Sequence, residues 1–245
     1  MKIFHSGKRV KMKKRVLITG GTKGIGLEVA KIMLDLKYEV IVAGRDFTNF
    51  PLKENSDVEM IEVDLSDLDN LPEFISKVGD IDVLVNNAGY MQPKYTYDNY
   101  PKEAKEKLMN VDLHAPVELM NAFSINMKKK KYGRIVNTAS IAGQIGHPDV
   151  WYGIAKAGLI NATKIYAKLL GAEGITVNCV APSAAQTDMQ NDNEEARKKA
   201  FKAAVVTNRF AEPEEVAKAI VWLADDCPEY INGITIDINN TFYAR

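Results

Sequence analysis

The stretch Val16-Leu17-Ile18-Thr19-Gly20-Gly21-Thr22-Lys23-Gly24-Ile25-Gly26 decides how this chain is read. Its three apolar residues, closed off by a glycine cluster, predict a short buried strand. Ile25, Val29, Ile32, Met33 and Leu36 then recur at offsets of three and four, which predicts an amphipathic helix. Glycines between strand and helix let the backbone turn sharply and let a phosphate approach without a Cβ in the way, and the helix N-terminus behind them favours negative charge. Gly20, Gly24 and Gly26 give the spacing G-x-x-x-G-x-G, which differs from the usual dinucleotide fingerprint. In isolation such a cluster can be a plain tight turn. Its place between strand and helix is what makes it a phosphate-binding candidate.

Outward from this unit the alternation repeats. Val40-Ile41-Val42, Val58–Val63, Val83-Leu84-Val85, Ile135-Val136, Ile175–Val180 and Ile234–Ile238 read as further strands. Leu68–Val78, Lys102–Lys131, Trp151–Leu170 and Glu214–Ala224 read as helices, and Pro116 is expected to begin a second segment inside the long one. On Trp151–Leu170 the expected buried positions include Ile154, Gly158, Ile165 and Leu169. The connection from Arg45 to Asp57 is too short and polar for a full helix, so that layer is expected to be reduced. Strands alternating with helices imply crossover connections and a parallel sheet covered on both faces. The expected fold is a single doubly wound, Rossmann-type α/β domain over residues 15–245, with a seven-stranded mostly parallel sheet. Residues 1–14 are basic and read as a flexible N-terminal extension.

Composition narrows the function. The 245 residues are 46% hydrophobic and 26% charged, the balance of an ordinary globular chain. Lys plus Arg (32) equals Asp plus Glu (32), so the basic excess of a dedicated nucleic-acid binder is missing. No apolar run approaches the roughly 18 residues that span a bilayer, so no membrane partner is expected. Cys179 and Cys227 stand far apart without His or Cys neighbours at metal-ligand spacing. The reading is therefore no metal site, and a reducing, cytoplasmic compartment.

Chemistry enters with Tyr152-Gly153-Ile154-Ala155-Lys156. On a helix, residues four apart share a face, so phenol and ammonium project together. A nearby cation favours phenolate and can lower a phenol by roughly 1–3 pKa units, enough to let Tyr152 exchange a proton with an alcohol or carbonyl oxygen. Taken alone the pair is common on amphipathic helices; its position in the chain supplies the weight. Ser140, just beyond the fifth strand, can donate to a substrate carbonyl shared with Tyr152 at the end of the sheet where open parallel sheets bind ligands. A strand-end serine is more often a cap or turn residue. Serine hydrolysis is disfavoured, because no G-x-S-x-G elbow surrounds Ser140 and His5, His114 and His147 show no triad pattern.

In order and spacing, Thr19–Gly26, Asn86–Gly89, Asn110, Ser140 and Tyr152/Lys156 resemble the motifs of the short-chain dehydrogenase/reductase family, over nearly the whole chain from Arg15 to Ile238. Asn208–Ala217 is similar to a segment of the 3-oxoacyl-carrier-protein reductases. The resemblance implies a nicotinamide enzyme. Tyr152 would be the catalytic acid/base, Lys156 would tune it and bind the nicotinamide ribose, and Ser140 would orient the carbonyl. Asn110 would help hold a water in a proton relay toward Lys156. Gly20, Thr22, Lys23, Gly24, Ile25 and Gly26 would cradle the dinucleotide; Asp64 and Leu65 would meet the adenine; Asn87, Ala88 and Gly89 would line the cofactor. Pro182 and Thr187 would lie near the carboxamide, with Ser183 where the family commonly has Gly and Asn239-Asn240 where relatives often have a Gly pair.

The resemblance also bears on the choice of cofactor. Relatives that use NAD carry an acid at the end of strand two, and here Gly44-Arg45 stands there. A guanidinium suits a 2′-phosphate, and Lys23 adds charge nearby, so NADP(H) is expected in preference to NAD(H). The expected substrate is a small-molecule or acyl-thioester carbonyl, bordered by Ala142–Val150 and by Ser183–Asn193, with His147 and Trp151 as candidate contacts. A homo-oligomer, commonly a tetramer in the family, would form through the helices at Lys102–Lys131 and Trp151–Leu170. The same fold also serves two other classes: a regulatory or scaffold protein that binds dinucleotide without turnover, and an epimerase or dehydratase using transient oxidation.

Overall fold

The computed structural model describes residues 13–92, 95–190 and 195–244. Residues 1–12 of the expected extension, and 191–193 of the expected substrate turn, lie outside that set. Lys13 and Lys14 lie inside it: Lys13 Nζ pairs with Asp57 at 2.7 Å, and Lys14 Nζ donates to Tyr132 Oη at 2.8 Å.

Among the described residues one sheet contains β1 (Arg15–Thr19), β2 (Glu39–Gly44), β3 (Val58–Glu62), β4 (Val83–Asn86), β5 (Gly133–Thr138), β6 (Ile175–Pro182) and β7 (Thr235–Ile238). Their spatial order is β3-β2-β1-β4-β5-β6-β7, and every neighbouring pair is parallel. The helices are α1 (Gly24–Asp35), α2 (Leu71–Val78), α3 (Lys102–Met109), α4 (Ala115–Lys130), α5 (Ala142–Ile145), α6 (Val150–Leu170), α7 (Glu195–Ala203) and α8 (Pro213–Ala224).

Period-two alternation along each strand builds two cores. Val16, Ile18, Val40 and Val42 bury against Val29 and Met33 of α1 and Val216 and Ile220 of α8. Leu17, Ile41, Leu84 and Ile135 point the other way, onto Phe74 of α2, Leu119 and Phe123 of α4, and Ala162 and Leu170 of α6. Burial on both faces is why these strands read as unbroken apolar runs. No helix joins β2 to β3; turns carry Arg45–Asp57, with Phe50 buried and Phe47 edge-on to it at 5.6 Å. The chain leaves β1 for β2 and β3 on one side and returns to β4 on the other, which opens a crevice above the carboxyl ends of β1 and β4.

The second segment expected at Pro116 is α4, with Pro116 in its first turn, where a missing N–H costs little; a π-helical turn, Asn110–His114, joins α3 to it. One expectation about helices needs correction. On α6, Ile154, Ile165 and Leu169 are exposed (47%, 47% and 66%), and Gly158 is only half-buried. The face turned to the sheet carries Ala155, Leu159, Ala162, Thr163 and Ala167, because close approach of a long helix to β5 and β6 selects small side chains.

Candidate active site

A cavity of about 550 Å³ runs across the carboxyl ends of the strands, from the glycine loop to the start of α6. At one end, Gly20 and Gly24 adopt left-handed backbone (φ +65° and +55°), and a Cβ on Gly20 would lie 2.9 Å from Ala88 Cα. Thr22, Lys23 and Ile25 complete that wall. Gly26 does not reach the cavity: a Cβ there would collide with the Gly20 carbonyl oxygen, so this glycine is needed for packing α1 against the loop. Thr19 Oγ1 accepts the backbone N–H groups of Asn87 and Ala88 at 3.0 and 3.1 Å, while Asn87 Nδ2 donates to Thr19 O and Gly20 O. These bonds fasten the end of β4 to the loop and put Asn87, Ala88 and Gly89 along the cavity.

Arg45 is exposed at the rim, beside Asp64 and Leu65. Asp64 accepts the N–H and hydroxyl of Ser66; these bonds, with help from Lys107 and Arg45, outweigh its partial burial and hold it below the usual carboxylate range. Lys23 is spoken for: its Nζ pairs with Asp188 at 2.7 Å across the cavity mouth. Arg45 and Lys107 are further cations on the same lining, both close enough to act on Asp64. A glycine cradle that a Cβ would fill, ending at a guanidinium, fits a phosphorylated dinucleotide. Ser183 keeps an ordinary negative φ and donates its N–H to Ile238 O at 2.9 Å, so it does not disturb β6; Asn240 takes the left-handed conformation at φ +46°.

Opposite the cradle, α6 presents Tyr152 and Lys156 on one face, both buried, with Lys156 Nζ 5.6 Å from the centre of the phenol ring. Asp149 starts this helix: its Oδ1 accepts the Tyr152 N–H at 3.2 Å, and its Oδ2 accepts Gln92 N–H at 3.0 Å. Ser140 lies within hydrogen-bonding reach of the phenol and accepts the Ala142 N–H at 3.1 Å. Pro182, Thr187 and His147 also line the cavity, Thr187 against Gly24 of the glycine loop; Trp151 does not, and lies instead under Lys105.

Asn110 does not border the cavity; its Nδ2 donates to Ser66 O at 2.8 Å and its Oδ1 meets His114 Nδ1 at 2.9 Å. Asp112, fully buried, is the group against Lys156, at 2.8 Å, and it accepts the Tyr90 N–H at 3.1 Å. Asn110 and Asp112 lie two residues apart on the π-helical turn and look at different neighbours, Ser66 and His114 for the one, Lys156 and Tyr90 for the other. Both stand in Met109-Asn110-Val111-Asp112, and the signal for Asp112 was a lone acid among apolar neighbours.

This carboxylate alters the electrostatics. Burial works against the Lys156 charge, but Asp112 overrides it and holds the ammonium above its ordinary value. Burial pushes the Tyr152 phenol up and outweighs Lys156, with Asp112 adding to the rise. The expectation that Lys156 leaves the phenol below its ordinary value is not met by these side chains alone. Lys156 Nζ also donates to Thr138 O at 3.1 Å, which fixes it in the cavity wall.

Comparison with known proteins agrees. A family model described as Enoyl-(Acyl carrier protein) reductase matches residues 20–240. The 3-oxoacyl-acyl-carrier-protein reductase of Rickettsia typhi is 34% identical over 234 residues, covering 92% of this chain and 95% of that one. Its counterpart from Haemophilus influenzae is 34% identical over 242 residues, covering 94% and 98%. Among solved structures, ElxO with NADP bound superposes with a TM-score of 0.85 at 29% identity, covering 94% of this chain and 99% of that one. Another, described as a short chain dehydrogenase/reductase family protein, gives 0.85 at 30% identity, covering 95% and 98%. With the likeness extending from the glycine loop to the last strand, this chain belongs to the short-chain dehydrogenase/reductase family.

Proposed function

We propose that this oxidoreductase is an NADP(H)-dependent ketoreductase in which Tyr152 is the proton donor. The observation that carries the reading is the meeting of Ser140, Tyr152 and Lys156 at one wall of a cavity whose other end is the glycine cradle. A dihydronicotinamide dinucleotide held along Gly20, Thr22, Gly24 and Ala88 would supply a hydride. Ser140 donates to the carbonyl oxygen and holds it against Tyr152. The carbonyl carbon takes the hydride with its electron pair, and the oxygen takes the Tyr152 proton. The resulting phenolate stays beside the Lys156 ammonium, which Asp112 keeps charged. Because Tyr152 sits above its ordinary value, it is protonated across neutral pH and is loaded for reduction.

NADP(H) is favoured by Arg45 at the rim, by the absence of an acid at Gly44, and by the NADP bound to ElxO, a structural relative. NAD(H) is the alternative. The names of the bacterial relatives make 3-oxoacyl thioesters the first substrates to try, with small ketones beside them. We read the molecule as cytoplasmic: among the described residues no helix is long and apolar enough to cross a membrane, and both cysteines are free thiols. The exposed apolar side chains Ile154, Ile165 and Leu169 on α6 and Ile125 on α4 support a homo-oligomer formed through those helices. NADPH consumption measured over thioesters, sugars, quinones and ketones tests the function. Tyr152→Phe is expected to lower kcat by about 10²–10⁴-fold on any substrate reduced. Equal turnover by wild type and Tyr152→Phe would refute the assignment.

A further inference from the structure

Beyond Ser140 and Tyr152, the substrate end of the cavity is closed by two basic side chains that do not satisfy each other. His147, in the loop before α6, packs its ring edge-on against the Tyr152 ring, with centroids 5.4 Å apart. Arg197 reaches over from α7, its Nη2 3.1 Å from His147 Nε2, and both residues line the cavity. On its far side, His147 Nδ1 receives the backbone N–H of Asp149 at 3.1 Å. Burial, helped by the guanidinium, pushes this imidazole down, so it is neutral at neutral pH.

A neutral imidazole has one acceptor nitrogen and one N–H, and a guanidinium has donors only. With Nδ1 accepting from Asp149, the proton sits on Nε2 and points at Arg197. Two donors then face each other where one acceptor should stand between them.

The acids nearby do not supply it. Both Asp149 carboxylate oxygens are turned toward backbone N–H groups, with Tyr100 Oη a further 3.4 Å neighbour of Oδ2. Asp112 is held by Lys156, and Glu195, on the same helix as Arg197, is taken by Lys198 at 2.8 Å. Among the described residues Arg197 has no carboxylate partner. Met91, Met189 and Phe201 give the same cavity apolar lining.

We infer that Arg197 and His147 form a subsite for a carboxylate carried by the substrate, so that the ketone reduced beside Tyr152 is a short oxo acid with an apolar side chain. A carboxylate offers the guanidinium a paired acceptor and leaves lone pairs for His147 Nε2–H. The ring contact between His147 and Tyr152 puts the anion site one side chain from the proton donor, so a few bonds separate carboxylate and ketone. A neutral 3-oxoacyl thioester would leave both donors unmet. The inference rests on the ketoreductase reading of the same site. The chemistry is unchanged: the ketone carbon gains the hydride from NADPH, its oxygen gains the Tyr152 proton, and the products are a hydroxy acid and NADP⁺.

The test uses the full-length protein. NADPH oxidation is followed with 4-methyl-2-oxopentanoate and acetoacetate, each against its methyl ester, and with the acetoacetyl thioester of N-acetylcysteamine. A charge-assisted contact predicts kcat/KM at least about tenfold higher for an acid than for its ester. Arg197→Leu should erase that preference and Arg197→Lys should restore part of it. Esters and thioester reduced as well as the acids, or a preference that survives Arg197→Leu, would overturn the subsite. So would a fall in NADPH affinity, read by cofactor fluorescence, as large as the fall in kcat/KM, since the guanidinium would then serve the cofactor. If wild type reduces none of these compounds, calorimetric titration of 4-methyl-2-oxopentanoate onto the NADP⁺-saturated protein decides the subsite separately from the reductase reading. Heat of binding lost in Arg197→Leu supports it, and no heat with wild type refutes it.

Discussion

At the scale of single residues, the site turns on a buried charge pair. Asp112 and Lys156 lie 2.8 Å apart with almost no solvent contact, and removing one partner of such a pair leaves an uncompensated charge that costs about 3–5 kcal/mol. Asp112→Asn is therefore expected to lower stability by about that amount in urea denaturation. It also acts on catalysis with a definite sign. Asp112 holds both the Lys156 ammonium and the Tyr152 phenol toward their protonated forms. Losing the carboxylate lets either proton leave at lower pH, and reduction needs both, so the basic limb of the kcat/KM profile should move to lower pH. A basic limb that stays in place would disconnect Asp112 from the proton donor. Tyr152 and Lys156 were legible as a pair because four-residue spacing on a helix fixes a shared face. Asp112 was not, because a π-helical turn and two residues of rotation decide which side chain from that stretch looks at Lys156.

At the scale of elements, the strands and most helices were legible, since apolar runs and the offsets of three and four survive folding intact. The missing helix between β2 and β3 was also legible, from a connection with too few residues and too little apolar character. The orientation of α6 was not. Ile154, Ile165 and Leu169 were expected inside with Gly158, yet Ala155, Leu159, Ala162 and Ala167 turn inward and those three face out. A helix with two apolar faces leaves one of them outside this chain's own core. Leu169→Asp, on the outer face, is accordingly expected to lower the molar mass measured by light scattering while leaving the far-ultraviolet dichroism unchanged. A mass unaffected by that charge would remove α6 from any contact between copies.

At the scale of the whole molecule, the parallel sheet with buried cores on both faces serves to hold loops at one edge in register, so that the cradle after β1 and the Tyr152/Lys156 pair of α6 share a cavity. A ligand that binds only this assembled state stabilises it by mass action, by about 2.7 kcal/mol at a hundredfold over its Kd, which is roughly 5–10 °C in the midpoint for a chain of this size. NADPH should give such a shift in a thermal melt, NADH at equal concentration a smaller one, and Arg45→Ala should remove the difference. Equal shifts by the two cofactors in wild type would count against Arg45 as the selector. By itself the chain's order of residues determined the alternation of strand and helix, the glycine turn between the first pair, and the shared face of Tyr152 and Lys156, because each depends on neighbours within one or two turns. Tertiary structure alone decided which acid meets Lys156, that Lys23 is neutralised by Asp188, and that Arg197 faces His147, because those contacts join segments that only the folded sheet brings to one edge.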